Sequence, residues 1–212
     1  MRHSVLGFLG RRIETTQLCG QRILLRIPRL ADHDAWRRLR AQSRRFLEPW
    51  EPAWTEDELT KASFRQRIRR YEHDIAEGTS LPLFVFRRDT EALIGGLTIG
   101  HIRRGAAQSC MIGYWMGETH AGHGYMHDAL DLVIPHVFGP MRLHRIEAAC
   151  IPDNLRSIRL LEKAGFQQEG YLRRYLKING AWRDHILYAR LADERQDMLT
   201  LNSMAPSMNI NA

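Results

Sequence analysis

The chain has 212 residues, 44% hydrophobic and 26% charged, with a formal net charge of +7. That length holds one medium domain with a full core, and the composition is globular rather than disordered or fibrous. No apolar run reaches the roughly 18–20 residues of a membrane span, while the basic balance favours polyanionic partners such as nucleic acid, a ribosome or a phosphorylated cofactor. In chain order, MRHSVLGFLGRR lacks a small-residue cleavage site and reads as a lead-in over 1–20. QRILLRIP (21–28) alternates as a strand ended by Pro28. LADHDAWRRLRAQSRRFL (30–47) carries apolar residues at helical spacing, with Asp32 placed to cap, and Pro49 and Pro52 then break the chain. A second helix fits 55–78, closed by Gly78.

Strand patterns follow at 81–88, 92–102 and 108–116. Next comes the glycine-containing stretch ETHAGHGYMHDAL (118–130), opening a helix to about 138 that Pro135 bends or ends. A strand at 143–151 leads to a helix at 153–164 closed by Gly165. The Asn179-Gly180 pair joins 166–178 to 182–191 as a hairpin with a type I′ turn. Residues 193–212 lack periodicity and read as a flexible tail, so the domain spans 21–192. Cys19, Cys110 and Cys150 are too scattered for a disulfide framework and suit a reducing, cytoplasmic compartment.

ETHAGHGYMHDAL admits two readings. His120, His123 and His127 are spaced like metal ligands on a helix. Gly122 and Gly124 interrupt that turn, however, and no Glu follows the first His as an H-E-x-x-H site needs. The expectation is therefore no metal. The alternative is an anion cradle: glycines permit φ > 0, and the free N–H groups of His123 to Met126 at a helix N-terminus face a phosphate. A lone GxG also occurs in ordinary strand–helix turns.

A second motif, IPDNLRSIRLLEKAGFQQEG (151–170), follows on the next strand–helix pair. Together the two resemble the GNAT superfamily of N-acetyltransferases, whose acetyl-CoA loop Q/R-x-x-G-x-G/A precedes a strand and then N-x-x-S/A…E-K-x-G-F. The loop here is Ala121-Gly122-His123-Gly124-Tyr125-Met126, and the second motif is Asn154, Ser157, Glu162, Lys163, Gly165 and Phe166. DHDAWRRL (32–39), RRFLEPWEP (44–52) and GYLRRYLKINGAWRDHILYA (170–189) narrow the resemblance to the RimJ-type ribosomal-protein alanine N-acetyltransferases, from about Gln21 to Leu191. Ala121 departs from the loop's Gln or Arg, Met126 is bulky enough to crowd a diphosphate, and Leu161 stands where many members carry a tyrosine general acid.

The resemblance implies an α/β (α+β) GNAT fold: a mixed, mostly antiparallel seven-stranded sheet with a splayed parallel strand pair, flanked by about four helices. It implies acetyl-CoA as acetyl donor, contacted by Trp115, Met116 and Gly117 through backbone, by the loop 121–126, and by Asn154 and Ser157. Ser157 is the expected proton donor to the thiolate, or else a first-turn serine bonding backbone; Asn154 can also be simply the N-cap. Glu147 is the expected base, unless it is a strand glutamate paired with Arg145. Glu48, Trp50 and Glu51 on the Pro-rigid turn, with Tyr175 and Trp182 on the hairpin, are the expected acceptor contacts, although hairpin aromatics are more often core.

The expected acceptor is a protein N-terminus, most specifically alanine on a small-subunit ribosomal protein. A small-amine acetyltransferase, or a ribosome- or RNA-binding assembly factor that holds acetyl-CoA without turnover, stays open. Arg65, Arg67, Arg69 and Arg70 form either a solvated helix face or an RNA contact.

Overall fold

Leu81–Arg87 is apolar at nearly every position because it is covered on both faces. Leu81, Leu83 and Val85 enter one core and Phe84 and Phe86 the other. It is the third strand of an eight-stranded sheet in a computed structural model that describes residues 17–193. The strands are β1 (Gln17–Cys19), β2 (Ile23–Arg26), β3 (Leu81–Arg87), β4 (Leu93–Arg103), β5 (Ser109–Met116), β6 (Arg145–Cys150), β7 (Gln167–Ile178) and β8 (Ala181–Leu191). Their spatial order is β1-β2-β3-β4-β5-β6-β8-β7, and every neighbouring pair is antiparallel except β5 and β6.

The helices are α1 (His33–Gln42), α2 (Arg44–Leu47), α3 (Lys61–Ala76), α4 (Tyr125–Phe138) and α5 (Leu155–Lys163). On one face α4 buries Met126, Ala129, Leu130, Val133, Ile134 and Val137, a single stripe at three- and four-residue spacing. On the other, Trp36 and Leu39 of α1 and Phe64 and Ile68 of α3 pack on Phe84, Phe86 and Leu93. Each fully buried side chain of this size contributes about 1.5–3 kcal/mol. Thr60 caps α3 by accepting from the Ser63 N–H at 3.2 Å.

The mixed sheet with one parallel pair is as expected, with four differences, the first being that the helix expected over 55–78 starts only at Lys61, where Thr60 caps it, and ends at Ala76. The sheet has eight strands, because Gln17–Cys19 of the expected lead-in pairs with β2. Alternation in three residues is too short a signal to read. Pro135 does not end α4, which runs on to Phe138; proline forfeits one helical bond there, while its own carbonyl still accepts from Gly139. The first predicted helix divides at Ser43 into α1 and α2, followed by a short 3-10 turn at Glu48–Trp50. The hairpin turn is as predicted, with φ of 44° at Asn179 and 81° at Gly180. The tail beyond Asp193 and residues 1–16 lie outside the described residues.

Candidate active site

The parallel ladder between β5 and β6 is short. It pairs Ser109 with Arg145, Cys110 with Ile146 and Met111 with Glu147, and then stops. Beyond that point β5 stays paired to β4 as far as Met116, and β6 to β8 as far as Cys150. The two strands therefore diverge, leaving an edge of main-chain groups facing an opening rather than a strand. The Gly117 N–H donates to the Ile94 carbonyl at 2.8 Å, so alternation turns Trp115 and Gly117 toward β4. Met116 and Tyr114 then present their main-chain groups to the opening. Of the three backbone contacts expected, Met116 faces the gap, and Tyr114 joins it.

The end of β5 is locked from outside. A Cβ on Gly117 would lie 2.3 Å from Leu39 Cδ1, and the Glu118 N–H donates to the Ser43 hydroxyl at 2.9 Å. The Trp115 indole lies against Gly96, where a Cβ would meet its Nε1 at 2.5 Å.

Next to the opening, the glycine loop adopts the predicted backbone, with φ of 81° at Gly122 and 84° at Gly124. Gly124 is the N-cap of α4 and no side chain caps the helix, so its first-turn amides are left for an anion. Open space surrounds Gly122, while Arg22 lies beside Gly124 and pairs with Asp128 at 2.8 Å. Met126 does not crowd this cradle: its side chain turns inward and is only 8% exposed. A bulky residue is tolerated there because the second helical position faces the core. Ala121 is half-buried and contributes a carbonyl, which bonds His123 Nδ1 at 3.0 Å. The His123 ring stacks on Tyr125.

The histidines do not converge as the metal reading required. His127 pairs with Asp131 at 3.1 Å, and His123 is engaged with the loop carbonyl. Among the described residues His127, Asp128 and Asp131 form one group of metal-type ligands, but Asp128 is already held by Nε and Nη2 of Arg22.

Across the opening, Asn154 caps α5 by accepting from the Ser157 N–H at 3.2 Å. On the same first turn the Ser157 hydroxyl meets the hydroxyl of Tyr114, which lies on β5 past the end of the parallel ladder, at 2.7 Å. Burial pushes the Tyr114 phenol well above its ordinary value and Cys150 up to about 11. Leu161 is buried in the core, so the tyrosine hydroxyl of this region comes from β5 instead. Sequence reading missed Tyr114; its place between Gly113 and Trp115 on a strand end carries no chemical motif.

Glu147 sits at the vertex where the ladder ends. One carboxylate oxygen accepts from Arg145 at 2.8 Å and the other from Arg103 at 2.9 Å. The expected acceptor contacts are partly engaged too. Glu48 pairs with Arg44 at 2.6 Å, and Glu51 is bound by Arg40. Tyr175 packs edge-on against His185, with centroids 5.6 Å apart. Trp50 and Trp182 remain exposed, at 36% and 62%. The two segments do meet, through the Asn179 N–H and the Glu51 carbonyl at 2.8 Å. Of the four helical arginines, Arg67 is tied to Glu58 and lies over Trp36; Arg65, Arg69 and Arg70 stay exposed.

An eight-stranded sheet opened between its parallel strands, with an uncapped glycine-turned helix beside the opening, defines an acyl-CoA-type transferase. The Acetyltransferase (GNAT) domain family matches residues 22–167, and the chain belongs to it. It is similar to a probable N-acetyltransferase, YjcK, of Bacillus subtilis, 37% identical over 82% of this chain and 96% of that one. It is also 34% identical to the [Ribosomal protein uS5]-alanine N-acetyltransferase of Escherichia coli, over 84% and 91% of the two chains. A structure of Mycobacterium smegmatis RimJ in complex with CoA-disulfide superposes with a TM-score of 0.80 at 33% identity, covering 88% and 95%. The protein is an N-acetyltransferase. Among the described residues no helix is long and apolar enough to cross a membrane.

Proposed function

We propose that the protein transfers the acetyl group of acetyl-CoA to the N-terminal α-amine of a protein, by direct attack with both substrates bound. The observation that carries this is the opening from Met111 and Glu147 onward, with Ser157 facing it and the uncapped α4 terminus at its side. The amides of the glycine loop hold the diphosphate, and the unpaired β5 edge at Met116 holds the pantetheine arm. Ser157 gives its proton to the departing thiolate. Glu147, engaged by two arginines, clasps the vertex of the opening instead of acting as a base. An α-amine needs little help, since its pKa of about 7.7–8.0 leaves a neutral fraction at pH 7 that lysine, at about 10.4, lacks.

Alanine at the start of a small-subunit ribosomal protein is the acceptor this reading favours, by similarity to the uS5-alanine enzyme. Trp50 and Trp182, exposed on segments that meet at Asn179, flank its approach. The exposed Arg65, Arg69 and Arg70 supply a salt-sensitive contact with ribosomal RNA. The test is mass spectrometry after incubation with acetyl-CoA and four acceptors. These are alanine-first and serine-first peptides, an N-terminally blocked peptide with free lysine, and spermidine. Acetylation of the alanine α-amine is expected. Product only on lysine or spermidine, or acetyl-CoA binding without any product, overturns the reading.

A further inference from the structure

Tyr114 and Ser157 are 43 residues apart and sit on opposite sides of the opening, one on β5 past the end of the parallel ladder and one on the first turn of α5. Their oxygens are 2.7 Å apart, within hydrogen-bond range, and the distance does not say which one donates. The proposed role of the serine does. A serine hydroxyl has one proton and two lone pairs. If Ser157 is to give that proton to the departing thiolate, the proton must be directed at sulfur, and the hydroxyl can then only accept from Tyr114. Burial holds the phenol proton on Tyr114, consistent with a group that donates a hydrogen bond and does not ionise.

We propose that Tyr114 is a positioning residue for acetyl transfer: by donating to Ser157 across the opening, it fixes the serine so that the serine's own proton is presented to a sulfur atom. This rests on the reading of Ser157 as proton donor. In the reaction that sulfur is the thioester sulfur of coenzyme A. As the amine nitrogen forms its bond to the acetyl carbon and the carbon–sulfur bond breaks, the electron pair of that bond leaves on sulfur. Sulfur takes the Ser157 proton, and a proton shed by the nitrogen returns to Ser157 through water. No net proton is released, and Tyr114 keeps its own. Its hydrogen bond strengthens as negative charge develops on the serine oxygen, which is where a charge-assisted bond exceeds a neutral one. The same bond ties β5 to α5 where the two strands have already parted.

The test is a cycle of Tyr114→Phe, Ser157→Ala and the double variant, with kcat, the KM for acetyl-CoA and calorimetric acetyl-CoA affinity measured for each. Tyr114→Phe changes no packing volume to speak of, and its thermal midpoint controls for folding. The expected result is a kcat about tenfold lower in Tyr114→Phe, the size of one hydrogen bond, with acetyl-CoA affinity within about twofold of the parent. The double variant is expected to be no slower than Ser157→Ala, because the bond has already gone. Full kcat in Tyr114→Phe overturns the proposal, as do losses that multiply in the double variant, the signature of two independent structural effects. Full kcat in Ser157→Ala would instead remove the serine as donor, and Tyr114's role with it. An active Ser157 with an indifferent Tyr114 leaves the proton-donor reading standing and sinks only this one.

Discussion

The Arg40 guanidinium grips the Glu51 carboxylate through bonds of 2.6 and 2.7 Å, and lies 4.3 Å from the Trp54 ring centroid and 5.0 Å from that of Trp115. Trp54 Nε1 also donates to Glu51, at 2.9 Å, and the Glu51 carbonyl accepts from Asn179. One ion pair thus joins α1, the end of β5, the Pro-rich turn and the C-terminal hairpin. Removing one charge of a buried pair strands the other in low dielectric. Glu51→Ala should lower stability in urea unfolding by about 3–5 kcal/mol. Unchanged stability with a selective rise in KM for the amine would show that Glu51 serves the acceptor.

Glu147 separates two roles cleanly. As a clasp for Arg103 and Arg145, its replacement by Gln should cost about 1–3 kcal/mol of stability. Saturating kcat should change less than about threefold, well under the 10²–10⁴ of a lost general base. A hundredfold fall in kcat, with loss of the acidic limb of the pH profile, would restore the base assignment.

Gly124 tests the cradle. At φ 84°, with Arg22 Nη2 3.1 Å from a new Cβ, Gly124→Ala is strained both by backbone and by contact. Left-handed backbone costs a non-glycine residue about 1–2 kcal/mol. Acetyl-CoA affinity measured by calorimetry should fall by roughly tenfold, while the KM for the peptide stays near the parent value. An unchanged affinity would place the diphosphate elsewhere.

His185 is buried on β8, its Nδ1 donating to the Arg183 carbonyl at 3.1 Å. Desolvation holds its pKa below the ordinary histidine value. Below about pH 6.5 the unfolded chain therefore binds a proton that the folded chain refuses, and stability falls as pH drops through that point. Thermal midpoints between pH 7.5 and 5.5 should decline, with a shallower slope in His185→Gln. An identical slope would exclude His185 as a contributor.

The cysteines should sort by burial. Burial pushes Cys110 up to about 12 and Cys150 up to about 11, and both are covered, whereas Cys19 is exposed. Since the thiolate is the reactive form, a disulfide-exchange reagent should label one thiol quickly in the native protein and two more only on unfolding. Rapid labelling of Cys150 would mean that the opening admits solvent to it.

The elements legible in the sequence are those whose cause is local. Asn179-Gly180 needs only its own positive φ angles to turn, Gly122 and Gly124 likewise, and the α4 stripe from Met126 to Val137 follows from 3.6-residue periodicity. Asn154 and Ser157 were legible through the N-x-x-S of the family motif they resemble, a spacing that in the fold is also the geometry of the cap. What tertiary structure alone decided depends on partners far away in the chain. Glu51 was open to an ammonium until Arg40 was brought against it, and Glu147, within local reach of Arg145 alone in the sequence, gained its second partner when the fold brought Arg103 to it from β4. The bulk of Met126 turns into the core because the sheet lies beneath α4. Tyr114 gains a role only where β5 and β6 separate and the first turn of α5 comes within hydrogen-bond reach of it. Backbone preferences act over a few residues and can be read in order; the environment of a polar side chain is set by whatever folding packs against it.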